Sequence, residues 1–178
     1  MNRTLIGFFA VLIGFFAVLL AALVSAQTAA PTKHQLFEIK LKDKELLKMA
    51  TGKEMSLPQL RIYNNQGQMV ADFSSGFDED TFKEDFDKAL QSPKPMTGKP
   101  ALKSELNLVV DKKNKSLNDL PAADFTIVEY WADWCEPCHQ QLALLNEALR
   151  AHEATTINFL HVEADPTKLP GMKVEHQK

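Results

Sequence analysis

The 178-residue chain has two cysteines, Cys135 and Cys138, standing three apart in the run Trp131-Ala132-Asp133-Trp134-Cys135-Glu136-Pro137-Cys138. A nearly continuously apolar stretch, Phe125 to Trp131, precedes them, and an amphipathic stretch follows. Two thiols at this spacing at a helix start can close a small disulfide ring. The first lies where backbone N–H groups without helical partners, and the helix dipole, stabilise a thiolate. Such a setting lowers a thiol pKa from about 8.5 into the range of roughly 3.5–7.5. Cys135 is therefore expected to be the nucleophile that attacks a substrate disulfide. Cys138, one turn deeper, is expected to resolve the mixed disulfide. Pro137 is compatible with a first helical turn, whose N–H groups have no helical acceptor. The competing reading is half of a zinc site. That site needs two further ligands, and His139, adjacent to Cys138, cannot easily turn to the same metal.

The elements that must hold this pair follow from hydrophobic patterning. Phe37, Ile39 and Leu41 alternate with Glu38, Lys40 and Lys42, as in a strand with one wet face. Asp43 to Ala50 reads as a short helix with Leu46, Leu47 and Ala50 inward. Leu57-Pro58 opens a strand through Leu60, Ile62 and Tyr63. Asn64-Asn65-Gln66-Gly67 is turn chemistry, and Met69 to Phe73 returns, giving a hairpin. Asp78, Glu79 and Asp80 crowd a helix N-terminus, where the macrodipole favours negative charge. Phe82, Phe86, Ala89 and Leu90 form that helix's apolar stripe. Gln91 to Pro100, QSPKPMTGKP, carries three prolines and a glycine and reads as an extended linker. Leu106, Leu108, Val109 and Val110 predict a strand, and Asp111 to Asn118 a polar segment, irregular or weakly helical. Phe125 to Trp131 predicts a central buried strand. Cys138, Leu142, Leu145 and Leu149 mark one face of a helix, and Ile157 to Val162 a further strand. From Pro166 a loose tail is expected. Strands and helices alternate, so the class is α/β.

Composition bounds the alternatives. The chain is 45% hydrophobic, but every residue from Leu5 to Val24 is apolar or Gly. Within that run LIGFFAV occurs twice in succession, at 5–11 and 12–18. Its length lies between a signal-peptide core and a spanning helix. Residues 1–26 are thus expected to be either a signal peptide cut before Gln27 or an uncleaved N-terminal membrane anchor. Either way the rest of the chain is exported, to the periplasm or an equivalent extracytoplasmic space. One apolar run excludes a multi-span membrane protein, and two cysteines exclude a disulfide scaffold. A net charge of −3 provides no basic field for nucleic acid.

The segment YWADWCEPC resembles the thioredoxin active site, which reads F-W-A-x-W-C-x-P-C after the central strand. The Cys-Glu-Pro-Cys version is also similar to membrane-tethered reductases of cytochrome c maturation. Residues 57–90 resemble the C-terminal half of thioredoxin-like domains, most of all the periplasmic domain of transmembrane disulfide reductases of the DsbD type, with an LP-strand, a QGQ turn and GF and TF pairs. Asp43 to Ala50 matches the helix before that half. The resemblance implies a thioredoxin-like fold, a central mixed sheet flanked by helices, with its halves in permuted order. Residues 34–90 would supply the C-terminal half and 106–165 the active-site half, with 91–105 as linker and 166–178 as tail. The fifteen linker residues can reach about 50 Å, against a radius of gyration near 15 Å. Strands at both 35–41 and 157–162 compete for the third-strand position, so one is expected as an added edge strand. Two separate or domain-swapped half-domains are the alternative organisation.

The resemblance also assigns roles. Glu129, six residues before Cys135, falls where thioredoxins carry a buried Asp that accepts the resolving cysteine's proton. The competing reading turns Glu129 toward solvent. Leu57-Pro58 falls at the family's cis-proline, beside the cysteines, and Trp131, Trp134 and Pro137 join them in a substrate groove. His139 either favours the thiolate as imidazolium or is a solvated helix-face residue. Ala143 stands where thioredoxins often have a helix-kinking proline. The expected activity is thiol–disulfide exchange with protein substrates, in the reducing direction, without a bound cofactor or metal and fed by a membrane-borne electron donor. Inner-membrane attachment would run through residues 5–24. An oxidase or isomerase, and a non-catalytic metal or apocytochrome chaperone, are the alternatives.

Overall fold

The computed structural model describes residues 33–51, 56–74 and 78–169. The apolar run at 5–24 lies outside the described residues, as does the tail beyond Leu169. In chain order the elements are strand β1 (His34–Leu41), helix α1 (Asp43–Thr51), strands β2 (Gln59–Asn64) and β3 (Met69–Asp72), helix α2 (Glu79–Gln91), the short helix α3 (Leu102–Leu106), strands β4 (Val109–Asp111) and β5 (Phe125–Trp131), helix α4 (Glu136–Arg150), strand β6 (Ile157–Glu163) and a 3-10 turn, Pro166–Lys168.

All six strands join one sheet in the order β3-β2-β5-β6-β1-β4. β5 pairs parallel with β6 and antiparallel with β2, so strands from both halves of the chain alternate through its centre. The apolar run Phe125–Tyr130 is buried throughout because this strand has a neighbour on each edge and a layer on each face. On one face Leu60, Ile62, Ile127 and Phe159 pack under Phe82 and Phe86 of α2 and Leu145 and Ala148 of α4. On the other, Ile39, Leu41, Tyr63, Val128, Tyr130, Leu160 and Val162 pack with Leu46 of α1 and Leu106 of α3.

Local chemistry explains the turns. Asn64 Oδ1 accepts the N–H groups of Gln66 and Gln68, both at 3.0 Å, and Gly67 takes φ +72°, a left-handed conformation open to Gly at no steric cost. Asp78 caps α2, its carboxylate accepting the Asp80 N–H at 3.0 Å.

Four expectations are corrected. Neither competing strand is an edge: β6 flanks β5 directly, β1 lies beyond it in parallel register, and β4 is the outer strand, paired antiparallel with Ile39–Leu41. In α1 the inward residue is Leu46 with Met49 beside it, while Leu47 is 50% exposed and Ala50 is exposed too, because a nine-residue helix on a single sheet face buries only one narrow stripe. The linker 91–105 runs into a helix after Pro100, and Leu106 lies in that helix and not in a strand. Met96 N–H donates to the Met69 carbonyl and Leu102 N–H to the Gly67 carbonyl, docking the segment on the hairpin. It then winds into α3, with Leu102 and Leu106 one turn apart in the same core and Glu105 buried between them. The segment from Pro166 begins with an ordered 3-10 turn capped by Asp165.

Glu105 shows why the helix wins over the strand there. It is 2% exposed, and its carboxylate accepts from the Arg61 guanidinium at 2.6 Å, from the Tyr63 hydroxyl at 2.9 Å and from the Tyr130 hydroxyl. Burial, and then the neighbouring carboxylate, push both phenols well above their ordinary pKa, so they stay protonated and donate. One side chain thereby ties α3 to β2 and β5 together. Glu105→Ala strips the acceptor from a partly buried guanidinium and two buried hydroxyls and is expected to cost about 2–3 kcal/mol. Glu105→Gln, which keeps one acceptor oxygen, is expected to cost less; urea unfolding midpoints at neutral pH check the order.

Candidate redox site

β5 ends at Trp131 and the chain turns through Ala132–Trp134 into α4. Cys135 N–H donates to the Ala132 carbonyl at 3.0 Å, which tightens this turn. Cys135 is the N-cap of α4, and its Sγ accepts the Cys138 N–H at 3.2 Å. Cys135 and Cys138 are joined in a disulfide with a Cα–Cα distance of 5.2 Å. Pro137 lies in the first turn, where its missing N–H costs no helical bond. Ala143, which stands where thioredoxins often have a helix-kinking proline, lies within an uninterrupted helix from Glu136 to Arg150.

In this oxidised form both cysteines are buried, packed with Ala132, Trp131 and Leu57. Leu57 comes from the other half of the chain. It is placed by the start of β2, whose Gln59 pairs with Tyr130, and the Leu57–Pro58 peptide bond is cis. Pro58 itself is buried. The exposed rim consists of Trp134, Glu136 and Pro137, with Trp134 47% exposed. The structure thus gathers Cys135, Cys138, Trp131, Trp134, Pro137 and Leu57-Pro58 at one end of the sheet.

Glu129 is fully buried, which rules out the solvent-facing alternative. It lies two residues before Trp131 on β5, so it shares the α4 face of the sheet. Its Oε2 is 2.7 Å from Nδ1 of His161, its register partner on β6, and among the described residues Oε1 has no hydrogen-bond partner. The Trp131 ring stacks on His161, with centroids 4.5 Å apart and planes 14° from parallel. His139 is exposed, with Nε2 3.1 Å from the Asp133 carbonyl and its ring edge-on to Trp131. That agrees with a surface histidine on the helix.

Three residues of this region were not singled out from the sequence. His161 faces Glu129, and pairing β5 with β6 in parallel register would have revealed it. Asp165, 3% exposed, accepts the Trp134 indole N–H at 3.0 Å, together with the Thr167 N–H and hydroxyl. Burial pushes the Asp165 carboxyl up, but those hydrogen bonds outweigh it and hold the carboxyl below its ordinary value. Asp165 so fixes the exposed tryptophan in place. Gln141, one turn after Cys138, is fully buried with no partner for either amide atom among the described residues. Only the interruption it makes in the α4 apolar stripe could have signalled it.

Residues 107–175 match the thioredoxin family model. The thiol:disulfide interchange protein DsbE of Allochromatium vinosum is 30% identical over 77 residues, 43% of this chain, and the chain spans 42% of that relative's length. No solved structure gives a significant match. With the Cys-Glu-Pro-Cys disulfide capping α4, residues 107–175 are thus similar to thioredoxin-like thiol–disulfide oxidoreductases.

Proposed function

We propose that this protein is an exported oxidoreductase that reduces disulfides in protein substrates by dithiol exchange. The observation that carries the reading is the placement of Cys135 at the N-cap of α4, with the Cys138 N–H aimed at its sulfur. In the reduced protein the same donor and the helix start favour a Cys135 thiolate. That thiolate attacks one sulfur of the substrate disulfide, and the other leaves as thiolate. Cys138 then gives its proton to Glu129 and attacks Cys135 Sγ, releasing the second substrate sulfur as thiolate and forming the bond seen here. Trp134, held by Asp165, and Leu57-Pro58 with Trp131 and Pro137 form the surface on which the substrate backbone lies. The thiol:disulfide interchange name of the A. vinosum relative supports exchange chemistry.

The remaining parts of the proposal rest on the sequence. Residues 1–26 direct export, as cleaved signal or inner-membrane anchor, and a membrane-borne donor returns electrons in an oxidising compartment. The halves of the domain run in permuted order, 34–90 before 106–165; support comes from β2 and β3 completing the sheet on the free edge of β5.

Cys135→Ser is expected to abolish reduction of insulin disulfides, whereas Cys138→Ser accumulates a mixed disulfide visible on non-reducing gels. Full activity in Cys135→Ser refutes the assignment. Glu129→Gln is expected to slow resolution by roughly tenfold or more, read by rapid mixing of reduced protein with insulin. Redox titration against glutathione decides direction: a potential near −270 mV fits a reductase, and one near −120 mV an oxidase.

A further inference from the structure

We infer that His161 is a positioning residue of the redox centre, holding Glu129 and relaying its proton to a solvent groove on the α4 face of the sheet that leads away from the cysteines. The inference rests on the reading of Glu129 as proton acceptor for Cys138. A fully buried carboxylate can take up a proton in each turnover only if it has a way to return it. The active-site rim is the surface a protein substrate covers, so the way out must lie elsewhere.

Nδ1 of His161 is 2.7 Å from Glu129 Oε2, and the His161 side chain keeps 17% of its surface exposed. Its ring lines a groove of about 620 Å³ between β1 and α4, floored by Ile157 and Phe159 of β6 and walled by Leu36 and Leu142. The groove runs from His161 toward Ile157, back along β6 and away from the cysteines. With Nδ1 committed to Glu129, Nε2 is the nitrogen left for water; among the described residues it has no hydrogen-bond partner. Stacking on Trp131 holds the ring plane, so the two nitrogens keep their separate roles. The charged and titratable groups around the groove are His34 and Glu38 from β1, the latter tied to Lys112, Arg150 at the end of α4 and Glu153 in the turn after it.

The protons balance. As Cys138 Sγ bonds to Cys135 Sγ, the substrate thiolate leaves with the electron pair and the Cys138 proton passes to Glu129. The carboxyl gives its proton to Nδ1 while the Nε2 proton leaves to groove water. His161 takes one proton at Nδ1 and gives one up at Nε2, so its charge does not change, and it ends with Nδ1–H donating to the Glu129 carboxylate of the oxidised protein. Opening of the disulfide by the electron donor runs the chain inward.

The test is rapid mixing of the reduced full chain with insulin, reading the resolving step by tryptophan fluorescence and the first attack on a Cys138→Ser background. His161→Gln, which can hold Glu129 but cannot relay, is expected to slow resolution by roughly tenfold or more and to leave the first attack unchanged. His161→Ala is expected to be slow and to recover several-fold with free imidazole, which fits the groove, while Glu129→Gln does not recover. A fast His161→Gln beside a slow Glu129→Gln overturns the relay and leaves the Glu129 role standing. Full speed in both variants overturns both readings. Failure of imidazole to rescue a folded His161→Ala assigns His161 to structure alone and overturns the relay.

Discussion

The antiparallel pairing of β2 with β5 is the constraint on which the rest of the molecule depends. Six residues of each strand, Gln59–Asn64 against Phe125–Tyr130, are in register. A slip of one residue would turn every β2 side chain to the wrong layer. Leu60 and Ile62 would leave the α2 and α4 face, and Tyr63 would leave Glu105. The same register sets Leu57-Pro58 at the height of the cysteines, because Gln59 is fixed opposite Tyr130 and Tyr130 lies five residues before Cys135. A site whose parts are some 75 residues apart in the chain is thus specified by one ladder of backbone hydrogen bonds.

Glu105 guards that register from the opposite face. Its carboxylate collects one donor from each of Arg61 and Tyr63 on β2 and a third from Tyr130 on β5. Buried ionic groups of this kind are weak sources of net stability but severe penalties for a wrong arrangement, since a slipped strand would leave a carboxylate and a guanidinium unpaired. The linker therefore does more than span a distance. It delivers a residue that only the correct pairing of the two halves satisfies.

Much of this was legible in the residues, and what was not has a common cause. β5, α2 and α4 announced themselves because their burial is one-dimensional: a continuous apolar run, or a stripe at helical spacing, with a capping group at the start. The cysteines were legible because their chemistry needs only local spacing. The misread places are those where a residue's role is decided across the sheet. Leu106 and Leu108 alternate as a strand would, yet the partners of Glu105 on β2 and β5 draw Leu102–Leu106 into a turn of helix. β1 alternates like an edge strand but pairs on both sides, a fact no local pattern carries. His161 and Asp165 are ordinary polar residues until β6 is laid beside β5.

Glu129 shows how such non-local placement becomes chemistry. On its own strand it is a carboxylate in an apolar run, an arrangement that burial alone would penalise by several kcal/mol. One oxygen is matched by His161, and the other has no hydrogen-bond partner among the described residues. A group kept purely for packing would be more stable as an apolar side chain of similar volume. Gln141, equally buried and unmatched one turn beyond Cys138, makes the same point from the helix side. An amide can donate to a carboxylate or accept from a carboxyl, so it tolerates either protonation state of a neighbour in a way that a cation or a second carboxylate would not. If Glu129 accepts the Cys138 proton as proposed, it does so on the α4 face of the sheet, where His161 holds one of its oxygens and Trp131, stacked on His161, reaches the disulfide.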